Sequence, residues 1–391
     1  MSMSQIVIPD NPFEIRTIPP GRKALFYQGQ EAFLAGIYAP TDKLDGNFDA
    51  MMRVLSERRN NFFRHWTTNY YLFNSAVTPS TPTGEPPRKR YSPFLWNVSK
   101  WELSGYNVDY FTRLRSMISA AARAGIVVQI TIFDRTGMAA ATDRWPFNPW
   151  KASNNANGLI LDIPAIPGQP PPKQTGVPRF YDRTIQGHVR TREPIDRELT
   201  SGGIRLEPIS LGELQDSFVN QVVIQTREFR NVVYEIMNEP MEGTPATRAE
   251  WANTIVGLIH SLTQGKRLIF YNDHSGSMLN PATRGQDVNY WKTIPAARSH
   301  YSRFHGVIFH GDPNTIDPAN ANTSGWTFEA DKIIQVSSDA YDEAKRDDRV
   351  WTRATTLKAF ERHLIYQAES VDTDAADGIR DTQKTTLLRF V

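Results

Sequence analysis

From about residue 32 onward, short apolar runs rich in β-branched and aromatic residues alternate with segments whose apolar side chains recur at helical spacing. That order belongs to parallel β/α units, because a sandwich would place strand after strand without helices between them. The strand candidates are Ala32 to Tyr38, Asn61 to Trp66, Ile126 to Phe133, Val232 to Met237, Arg267 to Asn272, Gly306 to His310, Ile333 to Ser337 and His363 to Gln367. Eight strands with intervening helices predict an α/β chain closed as a single (β/α)8 TIM barrel, whose catalytic groups sit on the loops that follow the strands. Helical spacing is clear over Asn47 to Arg59, over Asn107 to Ala124 before Gly125, and over Ser210 to Phe229. In the next helix, with Thr247 and Glu250 as a capping box, Trp251, Ile255, Leu258, Ile259 and Leu262 share one face. Trp251 is therefore expected in the core.

A chain of 391 residues has the length of two or three ordinary domains, but a barrel with insertions reaches it alone. The expected division is an N-terminal extension over 1–31 and a catalytic barrel over 32–391. Lys23 to Gln30 reads as a hairpin that packs on the end of the barrel opposite the catalytic loops. Pro79 to Pro93, with five prolines, and Arg135 to Pro208 interrupt the pattern after strands two and three. They are read as loop insertions at the catalytic rim. With 40% hydrophobic residues the chain can bury a core, and without cysteine it has no disulfides, thiolate nucleophiles or cysteine-based zinc sites. Interspersed charges, 44 basic against 42 acidic, leave no broad surface for nucleic acid or anionic lipid. Asp10 and Glu14 interrupt the N-terminus before any apolar run of leader length, and no run of about 18 apolar residues follows. The expected location is cytoplasmic as written, or secreted if a leader has been cleaved.

Tyr234-Glu235-Ile236-Met237-Asn238-Glu239-Pro240 is the most informative stretch. Strand alternation puts Glu235, Met237 and Glu239 on one side, with Asn238 opposite them until the backbone turns. Pro240 helps to stop the strand. A glutamate at the carboxyl end of a barrel strand stands where a substrate would meet it, and partial desolvation lets a carboxyl there act as a general acid. The bland alternative for such a short motif is a solvated loop glutamate.

With its barrel context, the motif resembles the retaining glycoside hydrolases of clan A, the cellulase-like clan that includes family 5. The resemblance runs over about residues 23 to 370 and is most specific at Asn238-Glu239, which matches the asparagine and acid/base glutamate ending strand four. It implies a glycosidase acting on an oligo- or polysaccharide with two carboxylates and no cofactor. Arg64 matches the arginine near the nucleophile at the end of strand two. Trp145, Pro149, Trp150, Asn154 and Asn155 are similar to the clan's sugar-lining loop after strand three, and His310 ends strand six where the family has a histidine. Trp66, Tyr271 and Asp273, at the ends of strands two and five, complete the implied substrate-binding set. The nucleophile should end strand seven, where the chain has no glutamate; Asp339 is the best-placed acid, with Asp342 and Glu343 behind it. Asp312 stands where the clan has tyrosine, and Glu369 lies where it has tryptophan. Retaining enzymes hold their carboxyl groups roughly 5–5.5 Å apart and inverting ones about 6.5–9.5 Å, and retention is the expected outcome.

Trp66, Trp96, Trp101, Trp145, Trp150, Trp291 and Trp326 fall in expected loops or at strand ends, and their flat faces suit sugar rings. Two other functions stay open: a carbohydrate-binding barrel without catalysis, suggested by the missing glutamate on strand seven, and a metal-dependent barrel hydrolase using His310, Asp312, Asp273 and His274. No His-Glu-x-x-His spacing supports a metal, and His305 reads as a packing residue. There is no phosphate-binding glycine loop, and Ser337-Ser338 lacks a nucleophile-elbow context. The expected partner is a carbohydrate substrate, with no nucleic acid, membrane or metal. The sequence does not determine the linkage cleaved or the oligomeric state.

Overall fold

The computed structural model describes residues 7–19, 21–38, 47–57, 60–68, 92–97, 99–135, 138, 145, 148–161, 179–192, 204–240, 243–273, 290–291, 293–294, 298, 301–310, 332–338 and 365–368. In chain order the elements are β1 (Phe13–Ile18), β2 (Arg22–Tyr27), β3 (Gln30–Glu31), β4 (Ala35–Tyr38), α1 (Phe48–Glu57), β5 (Phe62–Trp66), β6 (Phe94–Asn97), β7 (Lys100–Tyr106), α2 (Val108–Arg123) and β8 (Val127–Asp134). They continue with β9 (Gln186–Arg192), β10 (Ile204–Ser210), α3 (Leu211–Thr226), β11 (Val232–Asn238), α4 (Pro245–Thr263), β12 (Ile269–Asn272), β13 (Gly306–His310), β14 (Ile333–Ser338) and β15 (Ile365–Ala368).

Eight strands close the barrel in the order β4-β5-β8-β11-β12-β13-β14-β15, with β15 returning to β4 and every pair parallel. All eight lie at the positions that the alternating pattern predicts. β4 and β5 approach so closely that a Cβ on Gly36 would sit 1.6 Å from the Phe62 carbonyl oxygen, so only glycine fits there.

Strand residues divide between two hydrophobic layers. One face of each strand turns outward, where Val128, Ile130, Ile132, Tyr234 and Ile236 meet Leu114 and Ile118 of α2, Leu214, Phe218 and Val222 of α3, and Trp251 and Ile255 of α4. Burial of each such side chain stabilises the fold by roughly 1.5–3 kcal/mol before conformational entropy is set against it. The other face fills the lower barrel with Phe62, Val127, Val233, Phe270, Ile308, Ile333 and Ile365. Phe13, Leu25 and Tyr27 of the β1-β2-β3 sheet join that cluster and close the N-terminal end of the barrel. The interior is therefore dry below, and a polar site is built only above this apolar floor.

Capping explains where the helices begin. Asn107 accepts from the N–H groups of Asp109 and Tyr110 at the start of α2, and Ser210 and Glu213 form a reciprocal capping box on α3. α4 starts three residues earlier than the capping-box reading placed it. Thr244 accepts from the Thr247 N–H, and Pro245 takes the first helical position, where a missing N–H costs nothing.

Secondary structure stands where a loop reading placed none. The β6-β7 hairpin, with Trp96 opposite Trp101, follows the first insertion directly. The second contains the β9-β10 hairpin, which runs directly into α3. The two are stitched together where the Trp101 N–H donates to the Asn154 carbonyl (2.7 Å). Residues 79–91 and 162–178, within the expected insertions, lie outside the described residues.

Candidate active site

Above the apolar floor, five donors converge on one carboxylate. Glu235 of β11 is fully buried and accepts from Arg64 of β5 twice, through Nε (2.7 Å) and Nη2 (2.5 Å). It also accepts from Gln129 Nε2 (2.9 Å) and Thr131 Oγ1 (2.5 Å) of β8, and from Asn272 Nδ2 (3.0 Å) of β12. Arg64 is 1% exposed, so both charges are out of water and each compensates the other. Four strands are tied at one level.

Arg64 also reaches upward. Its Nη2 donates to Asn238 Oδ1 (2.8 Å), and Asn238 Nδ2 donates to Asp134 Oδ1 (3.2 Å). Glu235 and Asn238 are three residues apart, yet they share one guanidinium, which strict strand alternation forbids. The ladder between β11 and β8 shows why. It pairs Glu235 with Thr131 and then Met237 with Phe133, skipping Ile236, so the two strands change parity together. Thr131 and Asp134, three apart on β8, turn inward with Glu235 and Asn238, while Phe133 packs outward on Phe218 and Trp251. The expectation that Asn238 opposes Glu235 is corrected by this shift, and Met237 leaves the face it was assigned. Its sulfur meets the Tyr181 hydroxyl (3.6 Å).

Glu239 follows at the carboxyl end of β11, half-buried and with φ at 49°, a left-handed conformation costly for a residue with a Cβ. Around this mouth stand Trp66, nearly buried with the Arg64 guanidinium 5.3 Å from its ring centre, the buried Asp134, and Asp273, whose N–H donates to the Ile308 carbonyl (2.9 Å). The backbone of His310 ends β13 and pairs with Ser337; its side chain lies outside the described set. Asp339, which follows the last residue of β14, is also outside it, together with Asp312, His274, Trp326, Asp342, Glu343 and Glu369.

Several expected sugar contacts belong instead to the packing. Trp150 is fully buried, with Phe94, Phe133 and Phe180 at 5.6, 6.3 and 5.5 Å between ring centres. Trp145 is 4% exposed within the same core. Asn155 is spent on its own loop, donating to the Lys151 carbonyl (2.9 Å) and accepting from the Leu159 N–H (3.1 Å). Tyr271 points away from the barrel axis onto Trp291 and Phe304. Each sits where an inserted segment or helix covers the barrel, so its face is taken by protein. Trp251, read as core, is core: it packs on Tyr181 and Phe133 and donates through Nε1 to Gln215 (3.1 Å).

Sequence reasoning missed Gln129, Thr131, Asp134 and Asn272, and gave Glu235 no role. The available signal was polar residues inside otherwise apolar strands. Gln335 of β14 is another: fully buried, with neither amide atom partnered in the structure. His65 faces outward and meets the Tyr110 hydroxyl (3.2 Å), and burial pushes its pKa down to about 3, which keeps the ring neutral. His305 is a packing residue, its Nδ1 accepting from the Ile269 N–H (3.2 Å). Among the described residues no three His, Asp or Glu side chains gather closely enough to hold a metal ion. No described helix is long and apolar enough to cross a membrane.

The architecture has counterparts among solved structures. The endo-1,4-beta-mannanase from Rhizomucor miehei superposes with a TM-score of 0.54 at 14% identity, covering 94% of this chain and 97% of that one. The beta-mannanase from the blue mussel Mytilus edulis gives 0.52 at 9% identity, covering 98% and 99%. A glycoside hydrolase family 5 mannosidase from Rhizomucor miehei gives 0.50 at 13% identity, covering 91% and 85%. The chain has the barrel fold of these enzymes. The likeness spans nearly the whole of this chain, although identity this low carries the fold alone. No protein-family model matches the sequence, and no curated protein matches it.

Proposed function

We propose that the protein is a glycoside hydrolase that cleaves β-linked oligo- or polysaccharide by a retaining, two-carboxylate mechanism. The observation that carries this reading is the Asn238-Glu239 pair at the carboxyl end of the fourth barrel strand, with Asn238 held by Arg64 from the second. Glu239 protonates the leaving oxygen while Asp339 attacks the anomeric carbon; Glu239 then takes a proton from the water that releases the sugar. Trp66 and Asp273 border the site, and the fold neighbours named as mannanases make β-1,4-mannan the first polymer to assay. The test replaces Glu239 by Gln and Asp339 by Asn and follows aryl glycosides and manno-oligosaccharides. Each change should lower turnover about 10²-fold or more, and undiminished activity in both variants refutes the assignment.

A second reading has its own observation: β14 carries Gln335, Ser337 and Ser338 and no glutamate. A barrel that binds sugar without cleaving it would show saturable binding of mannohexaose by calorimetry and no product on prolonged incubation.

A further inference from the structure

The geometry points to Glu235 as a positioning residue for the acid/base: its buried carboxylate anchors Arg64, and through Arg64 it fixes Asn238 and the strained peptide that presents Glu239. This rests on the glycosidase reading above and adds a residue that never reaches the mouth.

The argument starts from strain. A non-glycine residue at φ 49° holds that conformation only where its surroundings impose it. Asn238, one residue earlier, is gripped on its side chain by Arg64 Nη2 and Asp134, and on its carbonyl by the Arg135 N–H (3.2 Å). The grip from Arg64 comes from outside the β8–β11 pair. Arg64 in turn is held by Glu235, which engages both Nε and Nη2 and so fixes the plane of the guanidinium. Gln129, Thr131 and Asn272 hold the carboxylate from three directions, so the anchor is itself rigid. All five contacts are donors to Glu235. A carboxylate satisfies them, whereas an amide of the same shape turns an N–H₂ toward two or three of them.

Leaving-group dependence separates a positioning role from a merely structural one. A misplaced acid matters most when the leaving oxygen needs a proton, and least when it departs as a stable anion. The experiment compares kcat/KM of wild type, Glu235→Gln and Glu239→Gln on phenyl and 2,4-dinitrophenyl β-mannobioside, or the matching cellobiosides if wild type prefers them, corrected for the folded fraction. For Glu235→Gln we expect a loss of about tenfold or more on the phenyl substrate and less than about threefold on the dinitrophenyl one. Equal losses on both would overturn the proposal, since a defect in folding alone scales the two together. If Glu235→Gln does not fold, Glu235→Asp, which keeps the charge on a shorter stem, is read by the same two outcomes. A steep leaving-group dependence in Glu239→Gln with equal losses at position 235 sinks this inference alone. Turnover of no substrate by wild type sinks the glycosidase reading and this one with it.

Discussion

Removing either member of the Arg64–Glu235 pair should cost at least as much stability as removing both. In Arg64→Met the carboxylate keeps the three neutral donors Gln129, Thr131 and Asn272 but loses its counter-charge in a place without water. Breaking a buried pair from one side costs about 3–5 kcal/mol, and these remaining donors put this variant near 3. Glu235→Leu is worse, because the stranded guanidinium is joined by three donors that lose their acceptor, which places the loss near the top of the range of about 3–5 kcal/mol. The double variant removes both charges of the pair. It leaves neutral donors unsatisfied, for roughly 3 kcal/mol in all, so the two single losses should fail to add by about 5 kcal/mol. Urea unfolding at neutral pH, followed by tryptophan fluorescence and far-ultraviolet circular dichroism with m held common, measures this cycle. Additivity to within about 0.5 kcal/mol would show that the two side chains do not depend on each other and would refute their coupling in the barrel interior.

Two further outcomes are expected. His65 is neutral when folded, with its pKa pushed down to about 3, and recovers a value near 6.5 when unfolded, so the unfolded chain binds the extra proton. Stability should therefore fall as pH drops from about 6.5 toward 3, by up to roughly 1.4 kcal/mol per unit from this residue; a His65→Asn variant with an unchanged slope of urea midpoint against pH would contradict this. Trp150→Ala should destabilise the barrel by about 3–5 kcal/mol, as expected for a large aromatic buried among Phe94, Phe133 and Phe180, while leaving KM on manno-oligosaccharides unchanged in the folded fraction. A large rise in KM with intact stability would return Trp150 to the sugar site.

The polar interior also explains how the mouth gains order from residues below it. Charged and amide side chains occupy the level directly above an apolar floor, and Arg64, Glu235, Gln129 and Asn272 find their partners inside the barrel. Those partners come from different strands, and the network they form fixes the relative heights of β5, β8, β11 and β12. The strand ends that carry Trp66, Asp134, Asn238 and Asp273 inherit that alignment.

Local pattern alone decided the fold of this chain. Continuous β-branched runs such as Ile126 to Phe133 can be buried on both faces only inside a covered parallel sheet, and eight of them alternating with helical periodicity leave a barrel as the natural closure. Trp251 was legible as core for the same reason, since helical spacing is a property of neighbours in sequence. Tertiary structure decided everything that depends on who meets whom. Glu235 and Arg64 are 171 positions apart, and nothing local marks them as partners. The inward turn of Asn238 needs β8 and β11 to shift parity together, a property of two paired strands that alternation within one strand does not contain. Trp150 and Trp251 are the same residue type, but the burial of Trp150 comes from an insertion folding over the barrel, and only the folded chain supplies the Phe94, Phe133 and Phe180 side chains that cover it.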